Sequence, residues 1–290
     1  MCGFTGYFDP AFKHEESIIK EMSNQIISRG PDSFGFHIDR DIGISLGHRR
    51  LCIQDLSENG SQPMQNNNKR FTLVFNGEIY NHRELRKLID EKGKIKFWKG
   101  TSDTETLLSL IENFGIENSL KLIKGMFSFA VLDNRHHKLH LCRDRFGEKP
   151  LYYGLKNNVL FFSSELNVLN TSQFPRNLDR KSLDLYLKYG YVPSPLSIFE
   201  NIEKVAPGQI ISINLESLII TKKMYYNFAL EINNIKPDHS ITDDNIIDKF
   251  QNSFNDTINS QTLSDIGYGV FLSSGTDSTL ISALLSKDSP

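Results

Sequence analysis

Eight short runs dense in Phe, Val, Ile, Leu and Tyr, separated by turn-forming residues, limit what this 290-residue chain can fold into. They fall at 3–8, 43–48, 71–76, 127–133, 138–143, 151–154, 159–163 and 209–215. Runs of that length and composition are strands. Their hairpin-like succession, with turns such as Asp133-Asn134, calls for stacked antiparallel sheets rather than a parallel one. Helical spacing fills the gaps. Asn81, followed by Glu84, starts a helix that Gly93 ends, with Leu85, Leu88 and Ile89 on one face. A second helix runs from about 103 to 115 and buries Leu107, Leu108, Ile111 and Phe114; a third covers about 179–189. With 39% of the residues hydrophobic, the chain can bury a core. The expected architecture is a layered α+β sandwich with helices outside the sheets.

That pattern occupies residues 1–215. From 216 to 242 the sequence turns irregular and polar, with Asn233-Asn234 and Lys236-Pro237-Asp238, and reads as a linker. A new pattern occupies 243–290. Ile246, Ile247, Phe250, Phe254 and Ile258 recur at helical spacing, ahead of a strand at 268–272, a Gly-containing turn at 273–278 and a helix at 279–285. This order is how an α/β nucleotide-binding domain begins. Twelve residues follow Ser278, so only the opening of such a domain is expected, with Leu280, Ile281, Leu284 and Leu285 short of apolar partners.

Charge and cysteine usage exclude several classes. A net charge of −2 leaves no footprint for nucleic acid or an anionic membrane, and no apolar run reaches the ~18–20 residues of a membrane span. The chain opens into a strand rather than a secretory signal. Cys2, Cys52 and Cys142 form neither a disulfide framework nor a metal-ligand spacing, which favours a reducing, cytoplasmic location. Cys52 and Cys142 read as buried strand residues. His136, His137 and His140 cluster on a hairpin tip, and no metal site is expected there.

Cys2 carries the chemistry. Removal of Met1 would put its thiol and a free α-amine on one residue, and an amine of pKa ~8 can act as general base for the adjacent thiol. Cys2 does not stand alone. Met1-Cys2-Gly3, Ser28-Arg29-Gly30-Pro31-Asp32, Gly47-His48-Arg49-Arg50-Leu51 and Asn76-Gly77-Glu78-Ile79-Tyr80-Asn81 occur in that order. Gly100-Thr101-Ser102-Asp103-Thr104-Glu105 and Arg143-Asp144-Arg145-Phe146-Gly147-Glu148-Lys149-Pro150-Leu151-Tyr152-Tyr153 follow. The ordered set resembles the class II glutamine amidotransferases, and among them the glutamine-hydrolysing asparagine synthetases.

The resemblance implies an αββα four-layer N-terminal-nucleophile hydrolase sandwich, followed by the first strand and helices of an incomplete α/β ATP-pyrophosphatase domain. It implies Cys2 as nucleophile, with the Asn76 side chain and the Gly77 N–H as the oxyanion hole. The site is expected at the end of strand 71–75, where glycine allows close approach. Arg50 would take the glutamine α-carboxylate and Asp103 its α-ammonium, with Glu78 and the backbone at Ile53 as further contacts. Arg49 falls where the family varies, and Arg29 with Asp32 reads as a structural pair. In the second part, Leu272, Ser273, Ser274, Gly275, Asp277 and Ser278 resemble the family's phosphate loop, with Ser274 standing where the family has glycine. ATP with Mg is implied only for a complete synthetase domain. The implied reaction converts aspartate, glutamine and ATP to asparagine, glutamate, AMP and pyrophosphate, this chain alone acting as a glutaminase. Another carboxylate acceptor in polysaccharide or secondary-metabolite biosynthesis, or a non-catalytic remnant that binds a partner, are the other readings. A truncated or split synthetase or the head of a longer product, and a homodimer or a separate synthetase subunit, are further expectations.

Overall fold

The computed structural model describes residues 2–11, 16–92, 97–171, 176–236 and 242–288. The proposed helix stop at Gly93 and part of the expected linker, 237–241, lie outside them. In chain order the first elements are β1 (Gly3–Phe8), α1 (Ser17–Asn24), β2 (Ser33–Asp39), β3 (Ile44–Arg50), β4 (Met64–Gln65) and β5 (Phe71–Ile79). Then come α2 (His82–Glu91), α3 (Asp103–Phe114), α4 (Ile116–Leu122), β6 (Gly125–Asp133), β7 (Lys138–Arg143), β8 (Tyr152–Lys156) and β9 (Val159–Ser163). The remainder is α5 (Arg180–Tyr189), β10 (Ile202–Lys204), β11 (Gln209–Asn214), β12 (Ile220–Met224), α6 (Phe228–Asn234), α7 (Asp243–Gln261) and α8 (Thr276–Asp288).

Two six-stranded sheets result, ordered β10-β8-β9-β1-β3-β2 and β12-β11-β7-β6-β5-β4, with antiparallel pairs throughout. The two-residue repeat of a strand sorts their side chains. Phe4, Phe8, Ile44 and Leu46 of the first sheet meet Val74, Ala130, Leu132, Leu139 and Leu141 of the second in one buried core. On the far side of the second sheet, Phe75, Phe127 and Phe129 pack with Leu85 of α2, Leu107 and Ile111 of α3 and Leu120 of α4. On the far side of the first, Tyr7 and Phe161 pack with Met22 of α1. Helix, sheet, sheet, helix is the four-layer order expected.

Several elements depart from expectation. Asn81 does not cap α2 through its side chain; its amide accepts from Lys124 N (2.8 Å) and donates to Leu122 O (3.1 Å), tying the strand end to α4. β12 lies inside the segment expected as linker and pairs along β11 from Gln209↔Met224 to Ile213↔Ile220. The first compact unit accordingly runs to Phe228 and the second spans Ala229–Pro290. In that second unit α7 and α8 form as helices, but 268–272 is not a strand. A strand needs a partner for its N–H and C=O groups. Among the described residues none pairs with this segment, and Phe271 is fully exposed.

Candidate active site

The strand repeat that builds the core also assembles the site. Cys2 continues the inward-facing series of Phe4 and Phe8, while His48 and Arg50 continue that of Ile44 and Leu46. On β5, Asn76 and Glu78 follow Val74 on the same face. Because Gly3 pairs with Arg49, these residues meet at one end of the space between the sheets. A narrow cleft there is lined by Cys2, Arg50, Leu51, Ile53, Gln54, Gly77, Glu78 and Asp103, among others.

The half-buried Cys2 thiol accepts a hydrogen bond from Leu51 N (3.3 Å) and lies 3.5 Å from Leu51 O. Burial raises its pKa, and Asp103 and Glu78 add to the rise, while the Leu51 hydrogen bond and the N-terminal charge oppose it. Arg29 fixes the backbone behind the thiol: its Nε donates to Cys2 O (2.9 Å) and its Nη1 pairs with Glu165 (2.9 Å). The expected Arg29–Asp32 pair does not form. Asp32 instead accepts from Cys52 N (2.8 Å), which leaves Cys52 half-buried in a loop rather than in a strand; Cys142 is buried in β7 as expected.

Arg50 is anchored by backbone carbonyls: it donates to Ser57 O (2.9 Å), Gln54 O (3.4 Å) and Asp55 O. No carboxylate is among these partners, so its charge stays available to an anion. Gly60 makes this possible, since a Cβ there would come within 2.0 Å of Arg50 Nη2. Asp55 ties the loop to the start of α3, accepting from Ser57 N (3.1 Å) and Thr101 N (2.7 Å). Arg49 points elsewhere, binding Ser23 and Asn24 of α1.

Asn76 and Gly77 do not sit at a strand end. β5 continues through them to Ile79 and pairs with β6 at Asn76↔Ser128 and Gly77↔Phe127. Phe75 N donates to Gln62 Oε1 (2.7 Å) and Ile79 N to Asp103 Oδ2 (2.8 Å), both away from β6. Two residues from each, Gly77 N–H points the same way, into the cleft it lines. Asn76 is 1% exposed, and neither its Oδ1 nor its Nδ2 has a hydrogen-bond partner. A buried amide left unsatisfied costs ~1–3 kcal/mol, a cost that a ligand offering it a partner would recover. The buried ring of His48 stays neutral, its pKa lowered to about 4 mainly by burial, and its Nε2 donates to Phe75 O (3.0 Å) beside Asn76.

Glu78 and Asp103 supply the cleft's negative charge. Burial raises both pKa values, and Asp103 raises that of Glu78 further. Two carboxylates facing one cleft form a receptor for an ammonium group. Sequence reading missed Gln54, whose Nε2 donates to Glu78 Oε2 (2.5 Å), and Gln62, which bridges β5 to Thr104 (3.3 Å). A single amide in a loop carries no periodicity to reveal it.

The sequence profile of the glutamine amidotransferase domain matches residues 1–226. The chain belongs to that family. The asparagine synthase profile matches 249–290 of this amidotransferase. Asparagine synthetase [glutamine-hydrolyzing] 1 of Bacillus subtilis is 36% identical over 100% of the chain and 44% of its own length. Asparagine synthetase [glutamine-hydrolyzing] of Triphysaria versicolor is 32% identical over 99% and 42%. The chain therefore spans less than half the length of these relatives. A solved glutamine phosphoribosylpyrophosphate amidotransferase from B. subtilis, complexed with ADP and GMP, shares the fold with a TM-score of 0.55 and 19% identity, over 77% of this chain and 49% of that one.

In the second unit, the turn 273–278 leads into α8. Its donors are bonded within the turn, Ser273 N to Ser278 Oγ (3.2 Å) and Gly275 N to Ser273 Oγ (3.1 Å). Leu272, Ser273, Ser274, Gly275 and Asp277 are exposed. The hairpin histidines are used locally, His136 with Asp133 (2.9 Å), His137 with Glu216 (2.9 Å) and His140 with Ser212 (2.8 Å). No group of three metal-ligating side chains forms, and no helix is long and apolar enough to cross a membrane, among the described residues.

Proposed function

We propose that the chain hydrolyses the side-chain amide of glutamine at Cys2. The observation that carries this is the convergence, in one cleft, of a thiol, an arginine held by backbone carbonyls, the buried Asp103 and half-buried Glu78 carboxylates, and a strand N–H beside an unsatisfied amide. Arg50 would take the α-carboxylate, with Glu78 and Asp103 on the α-ammonium, so the γ-amide lies toward Cys2. The backbone at Ile53 lines the same cleft. With Met1 removed, the α-amine of Cys2 takes the thiol proton as sulfur attacks the amide carbon. The oxyanion is held by Asn76 Nδ2 and Gly77 N–H. The same amine protonates the departing nitrogen as ammonia, and water cleaves the γ-glutamyl thioester to glutamate.

In company with a complete synthetase domain, ammonia would pass to a carboxylate acceptor, with aspartate the acceptor suggested by the relatives' names. The turn 273–278 stands at the start of α8, where N–H groups would meet a phosphate once the Ser273 and Ser278 hydroxyls release the Ser273 and Gly275 amides. Backbone at Leu272, Ser273, Ser274 and Gly275, with Asp277 and Ser278, would hold ATP and its Mg. ATP supplies the acceptor's activation as an acyl adenylate. A cytoplasmic setting and a homodimer or separate synthetase subunit belong to the same reading.

The test is to incubate the purified chain with glutamine and follow glutamate and ammonia. Equimolar release that disappears in Cys2→Ala is expected, with no asparagine when aspartate and ATP are added. Absence of glutaminase activity in the wild type rejects the proposal.

A further inference from the structure

We propose that Gln54 is a positioning residue for glutamine binding, holding Glu78 in place as a carboxylate so that the cleft keeps a charge for the substrate's α-ammonium. This rests on the glutaminase reading and deepens it. Gln54 lies four residues beyond Arg50, in the loop whose carbonyls grip that guanidinium, and its own carbonyl is one of the three. Its side chain turns back across the cleft to donate from Nε2 to Glu78 Oε2 (2.5 Å). One residue thus touches the expected partners of both the α-carboxylate and the α-ammonium.

The contact matters because of what surrounds Glu78. Burial and the facing Asp103 of α3 both favour its protonated form; Lys149 and the N-terminal charge oppose them. Cys2 and Tyr80 are the other titratable groups that feel it. An amide N–H has no lone pair to offer a carboxylic acid proton, so its hydrogen bond favours the anion. Without it Glu78 would hold its proton to higher pH, and a protonated carboxyl gives no charge to an ammonium ion.

The experiment uses the full chain as Cys2→Ala, which binds without turnover, and measures the glutamine Kd by calorimetry from pH 5.5 to 8.5, with and without Gln54→Leu. Affinity should rise with pH in both, with the midpoint about one unit higher in the double variant, so binding is roughly tenfold weaker on the acid limb and the gap narrows only above pH 8, as Glu78 titrates. Gln54→Met, matched in length but without a donor, should behave as Gln54→Leu. Superimposable profiles overturn the proposal while leaving the glutaminase reading intact, as does a pH-independent loss, which would mark a packing role. Failure of Cys2→Ala to bind glutamine at any pH overturns both.

Discussion

At the residue scale, the site stores unfavourable energy in groups that glutamine would satisfy. Asn76 gives up its hydrogen bonds, and Glu78 and Asp103 are held where their charge is poorly solvated. Asn76→Ala should therefore lower kcat by about 10²–10³-fold without loss of stability, read by glutaminase kinetics and thermal melting. Glu78→Gln tests the charge. Its pKa is raised on folding, so between the ordinary value near 4.5 and the raised one the folded state binds more protons than the unfolded state. Stability then falls as pH rises through that window. Glu78→Gln should raise Tm at pH 8 by about 2–4 °C, the response of a unit this size to ~1 kcal/mol, leave it unchanged near pH 4, and raise KM. Equal shifts at both pH values would count against the titration account. Cys2, Arg50 and Asp103 were visible in the sequence because their chemistry comes with ordered motifs; Gln54 and Gln62 were not, because an amide's role depends on what the fold brings opposite it.

At the scale of elements, β5 is the part on which the site depends. It carries Asn76, Gly77 and Glu78 consecutively, gives its N–H groups to Gln62 and Asp103, and is gripped by His48 from the other sheet. Gly77 is where it cannot change. A Cβ would lie 2.2 Å from Met126 O and 2.7 Å from Phe127 Cα, and backbone of a paired strand has nowhere to move. Gly77→Ala should cost about 3 kcal/mol, at the upper end for overpacking, and lower kcat as β5 shifts from β6; denaturant unfolding and kinetics on one preparation check both. The strands read correctly from sequence were the central ones, such as β5 and β6, whose aromatic and branched residues fill two layers. β2, half-exposed along its length, lacked that signal. Composition misled at 268–272, because Tyr, Val, Phe and Leu favour a strand only where another strand is present to pair.

For the whole molecule, the position of the unit boundary decides what can be removed. Residues 216–242 read as linker from their irregular polar text, with Asn233-Asn234 and Lys236-Pro237-Asp238; the polar Thr221, Lys222 and Lys223 nonetheless form an edge strand, where lysines belong, since they discourage pairing with another chain. β12 covers the edge of β11, and Lys222 reaches Glu203 of the other sheet (2.6 Å), which also accepts from Tyr153 (2.7 Å). Just beyond, Tyr225 OH donates to Arg143 O (2.8 Å), next to the loop carrying the buried Lys149. A chain ending at 228 keeps all of this together with three buried clusters drawn from the first unit alone. It should fold cooperatively and retain glutaminase kcat/KM within about twofold. A chain ending at 215 loses the five residue pairs of β11 with β12 and uncovers β11 as an edge. It should melt lower and self-associate on gel filtration. Equal behaviour of the two truncations would mean that β12 adds nothing to the sandwich, whereas loss of activity in the 228-residue form would mean that the site depends on residues of the second unit.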